Sequence, residues 1–175
     1  MLLLPFIGFG QYSAHEIIRK EMQQYRMESD SRVVVADLDS IMVEFTLRRL
    51  LTSQRVFTSV YNNRSQIKLT ESEKQQLIAG LRANYTTFWT SEDFHNLKVI
   101  RGSDLPDYIG SGGKNAYTFI SNPVFIRNET VALVFSATFY GDMQKNGHGY
   151  SRLCFYRLQN GEWKSWILME GGIYN

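Results

Sequence analysis

Thr130-Val131-Ala132-Leu133-Val134-Phe135-Ser136-Ala137-Thr138-Phe139-Tyr140 is a β-branched and aromatic run whose odd positions are apolar and whose even positions are mixed. That period of two defines a strand with one apolar face. Shorter runs of the same kind flank it: residues 117–121 and 124–127 before it, 150–158 and 162–169 after it. Asn122-Pro123, Asn128-Glu129, the glycine-rich residues 141–149 and Gln159-Asn160-Gly161 separate them. Strands joined by such turn residues read as an antiparallel meander over residues 117–169.

Working outward, two helices precede the meander. Ser13 and Glu16 have capping-box spacing, and Ala14, Ile17, Ile18, Met22 and Tyr25 then recur along one stripe, which predicts a helix over residues 14–26. Thr70 and Glu73 repeat the signature before Leu77, Ile78 and Leu81, predicting a helix over residues 71–84 in which Gly80 costs ~1 kcal/mol against alanine. Arg32 to Ala36 reads as a buried strand. Residues 38–51 fit either a helix capped near Asp39-Ser40 or a second strand, because their apolar positions suit both periods. Residues 102–114, with Pro106 and Gly110-Ser111-Gly112-Gly113, read as loop. The expected architecture is therefore α+β in a single domain: N-terminal helices packed on one face of a C-terminal antiparallel β-sheet meander.

The length of 175 residues suits one such domain. Net charge is +2 and the basic residues are scattered, so no electrostatic footprint for nucleic acid is present in the sequence. The single cysteine, Cys154, precludes a disulfide or a multi-cysteine metal site within this sequence, and its apolar surroundings read as core. Met1-Leu2-Leu3-Leu4-Pro5-Phe6-Ile7-Gly8-Phe9-Gly10 is apolar up to Gln11, with small residues where signal peptidase needs them and too little length to span a bilayer. This reads residues 1–10 as the remnant of a secretory signal and residues 11–175 as the α+β domain, in a periplasmic or secreted setting.

Three groups of residues could carry chemistry. Val33-Val34-Val35-Ala36-Asp37-Leu38-Asp39 is a hydrophobic strand ending in Asp-x-Asp, which resembles the opening of haloacid-dehalogenase-like phosphatases, but the family's further acidic cluster and strand–helix units are missing and a strand end followed by a helix cap is the favoured reading. The glycine-rich connection holds Asp142, Lys145, Asn146 and His148. On a backbone freed by glycine, His148 is the candidate proton handler with Asp142 as its orienter, and Lys145, Asn146 and His148 are candidate binding groups. Trp163 and Trp166 lie three positions apart and so on opposite faces of a regular strand; Trp163, in step with Ile167 and Met169, is the expected core residue. No spacing in the sequence points to a metal or a cofactor.

The order Phe119-Ile120-Ser121-Asn122-Pro123-Val124-Phe125, Ala132-Leu133-Val134-Phe135, Gly147-His148-Gly149 and Asn160-Gly161-Glu162-Trp163-Lys164 resembles uncharacterised secreted or periplasmic bacterial proteins. In those a strand pair brackets a glycine-rich, sometimes cysteine-containing loop, and a Gly-x-Trp opens the last strand. The resemblance implies a compartment and an α+β fold, with no activity attached. The last hairpin is also similar to that of nuclear-transport-factor-2-like cone domains, an analogy of fold alone. The functional expectation is a non-catalytic domain that binds a ligand or protein partner, with a hydrolase using His148 or the Asp37/Asp39 pair as the alternative.

Overall fold

The computed structural model describes residues 9–24, 32–51, 56–62, 64–86, 89–94, 97–110, 116–141 and 147–174. In chain order the elements are α1 (Phe9–Gln24), β1 (Arg32–Val35), α2 (Ser40–Leu51), β2 (Val56–Thr58), β3 (Gln66–Lys68), α3 (Glu71–Ala83), β4 (Lys98–Ile100), α4 (Leu105–Gly110), β5 (Ala116–Ile120), β6 (Val124–Ile126), β7 (Val131–Tyr140), β8 (His148–Gln159) and β9 (Glu162–Tyr174). The chain is α+β, with its strand meander at the C-terminus.

Seven strands form one mixed sheet in the order β4-β1-β5-β7-β8-β9, with β6 also paired to β7, while β2 and β3 make a separate hairpin. The meander β5 to β9 is antiparallel throughout, and β1 and β4 extend it in parallel with β5. β5 and β6 lie end to end along the same edge of β7. The break between them falls at Ser121, whose N–H donates to the Phe135 carbonyl and whose hydroxyl accepts from the Phe135 N–H at 2.9 Å. At the Asn160-Gly161 turn both residues have positive φ (51° and 79°), the primed-turn backbone that such a pair favours.

The helices divide between the two faces of the sheet, which departs from the single covered face expected from the alternation in β7. Val131, Leu133, Phe135, Ala137 and Phe139 meet Val43 and Leu47 of α2 and Leu77, Ile78 and Leu81 of α3 in one cluster. Ala132 and Val134 meet Ile17, Ile18 and Met22 of α1 in another. The even-numbered face of β7 read as half-solvated because it carries Ser136 and Thr138. Both are fully buried, and hydrogen bonds inside the protein take the place of water: Thr118 with Thr138 at 3.0 Å, and Ser136 with Glu21 at 2.8 Å.

Several local readings resolve with identifiable causes. Residues 38–51 form α2, because the Asp39 carboxylate accepts from the N–H groups of Ile41 (2.8 Å) and Met42 (3.2 Å) and fixes a helix start. The box at Thr70 is present in full: Glu73 N–H donates to the threonine hydroxyl (3.1 Å), and Thr70 N–H donates to the glutamate (2.7 Å). Gly80 is explained by packing, since a Cβ there would come within 2.3 Å of Val124 on β6. The helix around residue 14 begins earlier, at Phe9, so Ser13 is an interior position and the Ser13/Glu16 spacing marks no helix start. Phe9 and Gly10, placed with the signal-like segment by composition, are helical; residues 1–8 lie outside the described residues. Residues 105–110 form α4 where loop was expected, and Pro106, in the first turn, suits a helix start because its fixed φ is helical and it lacks an N–H to leave unpaired.

β9 carries two irregularities. Between Tyr156/Ser165 and Phe155/Ile167 the register gains one residue, and it gains another between Arg152/Glu170 and Ser151/Gly172. The first places the extra residue at Trp166 and inverts the parity beyond it. Trp163 is buried as expected, yet it belongs with Leu168 on the α1 face and not with Ile167 and Met169. There it meets Phe125 edge-on at 5.7 Å. Trp166, half-buried on the other face, takes the Arg157 guanidinium over its ring at 4.9 Å.

Candidate functional site

The residues expected to carry chemistry are not gathered in one place. His148 is the first residue of β8 and is exposed; its ring stacks on Tyr140, directly opposite in register, with centroids 5.1 Å apart. Asp142, Lys145 and Asn146 lie outside the described residues. Gly149 is small because the Phe139 ring lies against it: a Cβ would come within 2.2 Å of that ring.

Asp37 and Asp39 both hold backbone. Asp37 accepts from the Gly102 N–H at 2.7 Å, joining the carboxyl end of β1 to the turn after β4, and Asp39 caps α2. Trp89 closes the same end of the sheet, donating its backbone N–H to Ala36 (2.9 Å) and its indole N–H to Ile120 (2.7 Å). The paired register Arg32–Ala116–Tyr140–His148 puts His148 at the opposite end of the sheet from Asp37. At ~3.3 Å per residue and ~4.8 Å per strand the two are separated by roughly 20 Å. They cannot share a substrate bond. Among the described residues no group of three His, Cys, Asp or Glu side chains is placed to hold a metal ion.

What the structure does bring together is a buried polar cluster that the sequence reading passed over. Glu21 of α1 is fully buried and Arg152 of β8 nearly so. Glu21 Oε1 accepts from Arg152 Nε at 2.9 Å and from the Ser136 hydroxyl at 2.8 Å, and it lies 2.8 Å from Arg152 Nη2. Glu21 Oε2 accepts from the Tyr156 hydroxyl. Ser136 and Arg152 face each other across β7 and β8, and Tyr156 stands on the same face of β8 with Cys154 between it and Arg152. Burial, and then the charge of Glu21, hold the Tyr156 hydroxyl well above the ordinary phenol range, so it remains a donor. Burial, and then the same charge, push the Cys154 thiol up to about 12; with the Ser165 hydroxyl 3.3 Å from its sulfur it is a core thiol without nucleophilic character at neutral pH. A signal for this cluster exists in the sequence: Glu21 falls on the apolar stripe of Ile17, Ile18 and Met22, where a carboxylate must find a partner. That partner lies on the distant β8, beyond the reach of local pattern.

Among the described residues, two features open to solvent stand out. A cleft of about 550 Å³ along β4 is lined by Lys98, Arg101, Asp104, Asp107 and Tyr108, with the Lys98 ammonium 5.6 Å from the Tyr108 ring centre. Its charges are of both signs. The second is an apolar strip on α2 beside β9, the edge strand. Ile41 is 79% exposed and Phe45, one turn on, 47%. The Phe45 ring lies over the backbone of Gly172, where a Cβ would approach within 2.9 Å. Exposed Val60 borders the same strand, its N–H donating to the Leu168 carbonyl at 2.9 Å, and Tyr61, 79% exposed, follows it.

No family model matches the chain, and neither a curated protein nor a solved structure matches it.

Proposed function

We propose that this chain is a periplasmic or secreted binding domain that engages a protein partner along the β9 edge, with Ile41 and Phe45 of α2 as its anchors. The observation that carries this reading is the exposure of two large apolar side chains one helical turn apart, beside the edge strand of the sheet. Scattered exposed apolar residues are ordinary, but a strip that spans a helix and a sheet edge is the chemistry of a docking surface. Away from Leu168, whose backbone groups are taken by Ser59 and Val60, an edge strand also presents backbone donors and acceptors to an incoming extended segment, and a neighbouring apolar strip gives such a segment side-chain selectivity. The compartment rests on the apolar composition of residues 1–8, and the layout shared with secreted and periplasmic bacterial proteins points the same way.

The test is comparative capture from envelope and secreted fractions, using the wild-type chain and the Ile41→Asp variant as baits. A charge at so exposed a position leaves folding intact, because few contacts are lost. A partner retained by the wild type and lost by the variant supports the reading; partners retained equally by both contradict it. Osmotic-shock fractionation tests the compartment separately, and cytoplasmic retention of the chain would remove that part of the proposal.

A further inference from the structure

The polar groups that receive Glu21 all belong to the sheet. Arg152 Nε and Nη2 and the Ser136 hydroxyl meet Glu21 Oε1, and the Tyr156 hydroxyl meets Oε2, so among the described contacts α1 contributes the carboxylate and the sheet the groups around it. The strand register sets the donors side by side. Ser136 and Arg152 are directly paired across two long antiparallel strands, and Arg152 and Tyr156 close over Cys154 from either side. One guanidinium meets one carboxylate, so the charge balance suits a monoanion, whereas a phosphate dianion would bring an uncompensated charge into the interior. The surroundings complete the chemistry: Ile17, Ile18, Met22, Val134 and Leu168 make an apolar wall around the polar centre.

We infer that the α1-facing side of the sheet is a carboxylate-binding site, which α1 fills with Glu21 as a tethered ligand. The site accepts a free carboxylate once that tethered one is removed. Its full complement is a carboxylate presented among aliphatic side chains, so a partner helix or chain end of that composition fits where α1 now sits. This inference stands on the cluster alone and does not depend on the β9 edge as a docking surface.

The experiment is chemical rescue in the full chain. Thermal unfolding of the Glu21→Ala variant is followed in sodium formate, in sodium acetate and in sodium chloride at equal ionic strength, with sodium phosphate as a fourth arm. The expected result is a Tm several degrees higher in formate than in chloride, saturating with concentration. Wild type should show no difference between these salts, phosphate should give no comparable gain, and adding Arg152→Met to Glu21→Ala should abolish the response. Where Glu21→Ala is unfolded in chloride, formate-dependent recovery of its near-ultraviolet circular dichroism is the same readout, and Glu21→Ser repeats the test with a smaller loss of volume. The inference is overturned if neither variant responds to formate beyond chloride, if wild type responds equally, or if the response survives Arg152→Met.

Discussion

Glu21 on the first helix and Arg152 on the penultimate strand, 131 residues apart in sequence, meet in the interior with 2.9 Å between carboxylate oxygen and guanidinium Nε. The pair pins α1 to the sheet at one defined position, since the carboxylate must also reach Ser136 and Tyr156. Removing one partner leaves the other as an uncompensated buried charge. Glu21→Ala should therefore lose ~3–5 kcal/mol of stability, and Arg152→Met a comparable amount. The double variant Glu21→Ala/Arg152→Met should lose clearly less than the sum, because neither charge is then stranded. Urea denaturation of the four proteins measures this; additive losses would mean that the pair acts as two independent contacts.

The acid limb of stability has a source on the surface. Arg82 holds Glu44 through two hydrogen bonds, Nε to Oε1 at 2.6 Å and Nη2 to Oε2 at 2.8 Å, and this lowers the Glu44 carboxyl from 4.5 to about 2. A lowered folded-state pKa stabilises the protein above about 4.5, and that contribution is lost as pH falls from there toward 2. Both side chains are substantially exposed, at 47% and 40%, so solvent screening keeps the contribution small and salt should reduce it. Glu73, lowered in the same direction by its hydrogen bond with Arg127, adds to the same limb. Glu44→Gln should flatten the pH dependence of Tm between those values, lowering Tm slightly above about 4.5 and leaving it unchanged near 2, as a series of thermal melts would show.

The two tryptophans of β9 test the bulge. Trp163, 1% exposed and packed on Phe125, should cost ~3–5 kcal/mol when truncated to alanine. Trp166, half-buried beneath Arg157, should cost distinctly less. Denaturant midpoints of the two variants compare them, and equal losses would mean that both rings are core.

The meander was legible because strand period, turn residues and the Asn160-Gly161 hairpin are local signals that agree with one another. The α3 cap was legible for the same reason. The division of helices between faces was not, because Ser136 and Thr138 look solvated until Glu21 and Thr118 are known to meet them. Trp163 was placed in the core by a parity that the bulge at Trp166 inverts, so the residue was right and its face was not. Asp37 and Asp39 show the limit for chemistry: an Asp-x-Asp after a strand has the same spelling whether it attacks a substrate or holds the backbone of Gly102 and the start of α2. Of the Glu21 cluster, the carboxylate on the apolar stripe of α1 is a local signal, but its partner is not, since nothing near residue 21 announces Arg152.

The central claim is that the strip beside β9 meets a protein partner, and site-specific photo-cross-linking tests it most directly. A photoreactive phenylalanine analogue is placed at Ile41, and in a separate chain at Gln75, an exposed position on α3. Each full-length chain is then irradiated in the cells that produce it. The account predicts a discrete adduct from position 41 that competes away with excess unlabelled wild-type chain, and none from position 75. No adduct at 41, or the same adducts from both positions, would contradict it.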